Sequence, residues 1–166
     1  MWPLSPAGQQ SARALAFDLG CWSPGPIVAS SERKALETGN EMSAVLDLGV
    51  TTNDDLQEQG FGSVRFLADP AAFEAAVRDH YHKPLQAVLG DESSDAAARR
   101  LEDALDRILS TAPSSNGPPI VVTHGRILAS FLSRLTGEDA FVIWKSLRLP
   151  DAMMVDLERR KFSTIR

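Results

Sequence analysis

This 166-residue chain predicts an α/β protein, a three-layer α/β/α sandwich with a mostly parallel sheet. Two short β-branched runs, Ile27-Val28-Ala29-Ser30 and Ile120-Val121-Val122, read as strands covered on both faces. Each is followed at once by a stretch whose apolar residues recur at helical spacing. Strands and helices then alternate along the chain with no internal repeat and no low-complexity tract, the pattern of layered α/β folds.

Taken in order, the first helix starts almost at the beginning. Ser5 suits the N-cap, Pro6 the first helical position, and Ala12, Leu15, Ala16 and Leu19 form its apolar stripe before Gly20. The turn Ser23-Pro24-Gly25-Pro26 leads into the strand at Ile27, and Ser30 or Ser31 caps a helix from about Glu32 to Ala44. Val45 to Val50 reads as a further strand, and Thr51 to Gly62 as a polar, acidic loop long enough to be functional. Pro70 opens a helix to about Tyr81, with Phe73, Ala76, Val77 and His80 or Tyr81 on one side. A long amphipathic helix follows Gly90-Asp91-Glu92-Ser93-Ser94, burying Ala98, Leu101, Ala104, Leu105, Ile108 and Leu109. After the strand at Ile120, Ile127, Leu128, Phe131, Leu132 and Leu135 mark another helix, stopped by Gly137. Glu138 or Asp139 starts a short helix, and Met153 to Ile165 suggests a closing hairpin or edge strand. Trp144 and the Met153-Met154 pair read as core.

Bulk composition bounds the function. The length suits one domain, residues 1–166, with a single core. Seventeen basic residues against twenty-two acidic ones give a net charge of −5, which argues against nucleic acid or a membrane surface as partner. Cys21 is the lone cysteine, so neither a disulfide framework nor a cysteine-based zinc site is expected, and a cytoplasmic setting fits. Neither a membrane helix nor a signal peptide is predicted.

The chemistry gathers at two strand-to-helix turns. In a parallel sheet the carboxyl ends of the strands form a ligand crevice, and a helix N-terminus there favours an anion. Thr123-His124-Gly125 is one such turn, where His124 points into the crevice and Gly125 lets a ligand approach the backbone. Ser30 and Lys34 follow the other strand within about one helical turn, with Arg33 as the alternative cation to Lys34. Ser30 can serve as helix cap, phosphate donor or both. A phosphate dianion needs several such converging donors, since one exposed charge binds little. His80 and His82, two residues apart, share no helix face; they are expected to be surface or helix-end residues rather than a metal site. Cys21 has no cationic neighbour in sequence to activate it.

These residues resemble the histidine phosphatase superfamily, also called phosphoglycerate mutase-like. Leu4-Ser5-Pro6-Ala7-Gly8-Gln9-Gln10-Ser11-Ala12 resembles its first helix start. Ala29 to Thr38, reading A-S-S-E-R-K-A-L-E-T, is similar to its "S-S-P-x-x-R/K-A-x-E/Q-T" segment. Leu56-Gln57-Glu58-Gln59-Gly60-Phe61-Gly62 resembles its acid-carrying loop, Gly90-Asp91-Glu92-Ser93 its "G-E-S", and Val121-Val122-Thr123-His124-Gly125 its "V-V-S/T-H-G". The matches run in family order over nearly the whole chain.

The resemblance implies a phosphomonoester hydrolase working through a phosphohistidine, with no cofactor and no metal. Its ligand would be a small phosphorylated substrate, or inorganic phosphate or sulfate; a homodimer is compatible with it. It puts Lys34 in the place of the phosphate-binding base, His124 in that of the second catalytic histidine, and Glu58 in that of the proton donor. Ser30, Lys34, His124 and Gly125 would hold phosphate, and Glu58 and His124 would serve catalysis. One departure is large. The family opens with a central strand ending in Arg-His-Gly or Arg-His-Ala, whose histidine is the nucleophile, and such a strand with its connection needs roughly 15–25 residues. Only three residues precede Leu4, none of them arginine or histidine. The expectation is therefore an N-terminally truncated domain, lacking the family's first strand and inactive by itself; its loss would expose two strand edges or force the remaining strands together. A different class is a non-catalytic anion-binding or protein-interaction module that keeps the fold. An α/β-hydrolase would need Gly-x-Ser-x-Gly, which is absent.

Overall fold

In a computed structural model of the chain, residues 3–60, 69–111 and 117–165 are described. The Phe61-Gly62 end of the acidic loop, the remainder of that segment to residue 68 and the stretch 112–116 lie outside them. The fold is mixed α/β, and it gathers into two compact units. One comprises Met1–Gln57, Asp103–His124 and Arg148–Arg166; the other comprises Glu58–Glu102 and Gly125–Leu147.

The first unit carries the strands. Helix α1 (Pro6–Gly20) begins as the sequence predicts: Ser5 Oγ accepts the Gly8 N–H, and Ala12, Ala16 and Leu19 are buried. Strand β1 (Ile27–Ser30) is buried along its whole length. Helix α2 (Arg33–Leu46) follows, then strand β2 (Val50–Asn53) and a 3₁₀ turn, Asp54–Leu56. Strand β3 (Ile120–Val122) completes a parallel sheet of order β2-β1-β3, with Ala29 beside Thr52 on one flank and Val122 on the other. Strands β4 (Ala152–Asp156) and β5 (Lys161–Ile165) form the predicted hairpin as a separate antiparallel pair. The apolar cluster of Ala16, Leu19, Ile27 and Met42 ties these parts together, with Ile120 and Val122 of β3 and Ala152 and Ile165 of the hairpin packed against it.

Several expectations change. Val45 to Val50 is not a strand: α2 runs on through Leu46 and is closed by Asp47 in the left-handed conformation (φ 53°), whose N–H returns to Ser43 O. The strand lies one step later, because Val50, Thr51 and Thr52 supply the β-branched run; as a sheet flank, Thr51 and Thr52 stay exposed. β3 is half-buried rather than covered, since among the described residues it pairs on one side only. Met153 and Met154 are likewise half-buried in the hairpin.

The second unit is helical. Helix α3 (Pro70–His82) is capped by Asp69, which accepts from Ala71 and Ala72 N–H. Helix α4 (Ser94–Thr111) buries Ala98, Leu101, Ala104 and Ile108; Leu105 is half-buried and Leu109 is exposed. Helix α5 (Gly125–Thr136) buries Ile127, Phe131, Leu132 and Leu135, and α6 (Ala140–Ser146) starts at an Asp139 cap. Trp144 is half-buried, its ring against Phe73 and Phe141 at 6.0 and 5.8 Å. Arg134 of α5 bridges Glu102 and Asp95 of α4. No described helix is long and apolar enough to cross a membrane.

Candidate active site

In the first unit, parallel register decides the geometry. Because Ala29 sits beside Val122, the next residues, Ser30 and Thr123, leave the sheet side by side. His124 Nε2 then lies 2.9 Å from Ser30 Oγ, a hydrogen bond whose direction follows the imidazole tautomer. Ser30 is fully buried, and its oxygen also accepts the Glu32 N–H at 3.2 Å. Thr123 Oγ donates to Leu56 O, anchoring the end of β3 to the 3₁₀ turn. Ser31 Oγ donates to Asp54 Oδ1 at 2.5 Å and accepts from Gln57 Nε2 at 2.7 Å. A carboxylate is also present: Glu32 Oε1 is 3.7 Å from His124 Nε2.

The predicted cations are placed differently. Lys34 is exposed on the first turn of α2, and its ammonium group takes no part in the hydrogen bonds around His124. Arg33 pairs with Glu37, whose other oxygen accepts the Leu4 N–H. The structure thus brings Ser30 to His124 but brings neither Lys34 nor Arg33 into that cluster.

In the second unit, Glu58 has well-defined partners. Its Oε2 accepts the Arg126 N–H at 3.0 Å, and its Oε1 accepts those of Ile127 at 2.9 Å and Gln59 at 3.1 Å. Arg126 and Ile127 belong to the first turn of α5, whose N–H groups have no acceptor within the helix, so Glu58 acts as its cap. The buried Arg126 guanidinium donates to Gln59 O and lies 3.6 Å from the Glu58 carboxylate. Tyr81 and Ser130 both donate to Arg126 O. Burial first, then the Glu58 charge, pushes the Tyr81 hydroxyl far above its ordinary range, so it remains a donor.

His80 lies in the last turn of α3, a helix-end residue as expected but not a surface one. It is wholly buried, with Nε2 3.0 Å from Gln59 Nε2, and burial together with the Arg126 charge lowers its pKa from 6.5 to about 4. The stripe through Phe73 and Val77 carries it inward; His82, two residues on, is exposed. Among the described residues, no three His, Cys, Asp or Glu side chains gather as a metal site. Gly125 has a packing role: a Cβ there would point at Leu147 Cδ1, 3.4 Å away, and at the Trp144 indole.

The family model of the histidine phosphatase superfamily (branch 1) matches residues 2–162. The chain belongs to the histidine phosphatase superfamily. Solved structures agree on this fold. A mycobacterial glucosyl-3-phosphoglycerate phosphatase aligns over 98% of this chain and 86% of its own, at 23% identity and a TM-score of 0.73. The same enzyme has been solved with inorganic phosphate and with VO3. The α-ribazole phosphatase of Shigella flexneri aligns over 99% of this chain and 82% of its own (21% identity, TM-score 0.68). A phosphoglycerate mutase from Bacillus anthracis aligns over 81% and 69% (20% identity, TM-score 0.65). No curated protein matches the chain.

Sequence reasoning missed the residues that hold the histidine phosphatase motifs in place. Arg126 follows the His-Gly pair and opens the apolar face of α5, and a charged residue at such a position signals a buried partner. Glu32, at a position between the two serines and Lys34, carried no signal that it would lie beside His124.

Proposed function

We propose that these residues form the phosphate-holding and acid-carrying part of a phosphomonoester hydrolase of the phosphohistidine type. The observation that carries the reading is the 2.9 Å contact of His124 with Ser30 at neighbouring carboxyl ends of parallel strands. The anion ligands of the mycobacterial relative support it. His124 and Ser30 would place donors on the transferring oxygens, work in which losing one donor costs roughly 10²–10³ in rate. Glu58 would protonate the leaving oxygen, and Lys34 would swing from solvent toward the anion. Covalent transfer to an imidazole divides the reaction into two easier steps. The three histidines of these 166 residues are His80, His82 and His124, and none follows an arginine, so no Arg-His-Gly nucleophile is among them.

A non-catalytic anion-binding module is the second reading. It is favoured by the engagement of both Glu58 oxygens with α5. The two readings part in one experiment. A strand ending in Arg-His-Gly, placed ahead of Leu4, should confer hydrolysis of an aryl phosphate that the 166 residues alone do not show. A folded, phosphate-binding protein that stays inactive with the strand supports the module. Hydrolysis by the 166 residues themselves, abolished by His124→Ala, would make His124 the nucleophile and overturn both.

A further inference from the structure

The closing hairpin presents an open strand edge beside two exposed aromatic side chains. Among the described residues, β5 pairs with β4 alone, so the N–H and C=O groups along its other edge can bond a further strand. Ser163, Thr164 and Ile165 of β5 line a groove with Phe17 and Asp18 of α1 and with Trp22 just beyond that helix; β4 takes no part in it. Phe17 is 78% exposed and Trp22 50%. Exposed apolar side chains are ordinary one at a time, but two aromatics against an unpaired edge form a surface that gains by being covered.

The charges around the groove point to what covers it. Asp18 lies in the last turn of α1, where the helix dipole disfavours an acid, and no basic residue shares that turn. Among the described residues, neither exposed Asp18 nor exposed Lys161 enters an ion pair. Two copies of β5 related by a twofold axis at Ser163 would pair antiparallel, with Ser163 opposite its own copy. Lys161 of one copy then stands opposite Ile165 of the other, at the end of the strand that borders Asp18. A single symmetry operation thus makes two Lys161–Asp18 pairs and lays each strand against the other copy's Phe17 and Trp22. A strand from another protein would have to bring a matching cation, whereas this chain carries one in register.

We propose that the β5 edge and its groove bind a second copy of this chain, the two β5 strands continuing one antiparallel sheet across a twofold axis. The surface uses neither His124 nor Ser30, so it stands independently of the phosphate reading.

Sedimentation velocity on the 166-residue chain over a dilution series tests it. The wild type should pass from monomer to dimer as concentration rises. Lys161→Glu and Asp18→Lys should each raise the dimer dissociation constant roughly tenfold, because both symmetric pairs turn repulsive. The double variant, with the charges exchanged, should return to within about threefold of wild type. Both positions are exposed and Asp18→Lys suits the helix dipole, so the variants keep the fold. Hydrogen exchange gives a second measurement: β5 amides should gain protection with concentration in the wild type and not in Lys161→Glu. A wild type that stays monomeric at every soluble concentration overturns the inference and leaves the groove to a strand of another protein. A dimer that neither single variant weakens, or that the double variant fails to restore, overturns it as well.

Discussion

His124 Nε2 and Ser30 Oγ, 94 residues apart in sequence, lie 2.9 Å from each other where two parallel strands end side by side. The serine is buried and also accepts the Glu32 N–H, so it fixes both the imidazole and the entry to α2. Ser30→Ala removes a shared oxygen rather than a single bond. Inorganic phosphate affinity should fall by roughly tenfold, and stability by about 1–2 kcal/mol, because the Glu32 amide and the imidazole lose their partner together. Calorimetry and urea unfolding read the two effects; unchanged phosphate affinity with lowered stability would leave Ser30 a purely structural residue.

Glu58 offers a second test, aimed at its capping role. With both oxygens on first-turn amides of α5, Glu58→Ala should cost about 1–2 kcal/mol and speed hydrogen exchange at Arg126 and Ile127. Glu58→Gln keeps one acceptor oxygen and should recover part of the protection. If exchange at those two amides does not respond to Glu58→Ala, the cap is not what holds them.

Acid should weaken the protein through His80. Its pKa is lowered to about 4 in the folded state, by burial first and by Arg126 second, against an ordinary value near 6.5. The folded state therefore resists a proton that the unfolded chain accepts. Stability from this residue is fully present above about pH 6.5 and is lost as the pH falls toward 4, a change of roughly 3 kcal/mol. His80→Gln cannot charge, so its urea midpoint should fall less than that of wild type between pH 7 and 4.5. Parallel declines in the two proteins would assign the acid sensitivity to other groups.

These residues also show where sequence reading stops. Strands β1 and β3, the caps at Ser5 and Asp139, and the His-Gly turn are legible because each depends on local chemistry: β-branching, a side-chain acceptor, a strand-to-helix switch. Periodicity puts His80 or Tyr81 on the apolar side of α3, but that His80 is wholly buried depends on what packs over the helix. The strand expected within Val45 to Val50 fails for a local reason that competes with apolar content: Asp47 takes the left-handed cap and lets α2 keep Val45 and Leu46. At the candidate site, Ser30 and His124 are legible together, whereas Arg126 and Glu32 are not, since their roles arise from contacts across dozens of residues.

Gly117 provides the last prediction, and Gly49 provides its control. A Cβ at Gly117 would overlap Ser23 O and stand 3.0 Å from Ser23 C, both backbone atoms. The loop ahead of β3 is held there by the Gly25 N–H on Pro118 O, and the Ile120 N–H bonds Pro26 O one step later. Neither side can yield without breaking the pairing that aligns β3 with β1 and so carries His124 to Ser30. Gly117→Ala should therefore destabilise the chain by about 2–4 kcal/mol, in the range of strained or overpacked sites, and weaken phosphate binding with it. At Gly49 a Cβ would meet nothing within 4 Å, and the backbone has no left-handed φ. Gly49→Ala should be neutral or stabilise by up to about 1 kcal/mol, through the unfolded chain's lost freedom. Urea unfolding of the two variants side by side separates the steric effect from the general cost of replacing glycine; a Gly117→Ala midpoint equal to wild type would show that the approach to Ser23 is not tight.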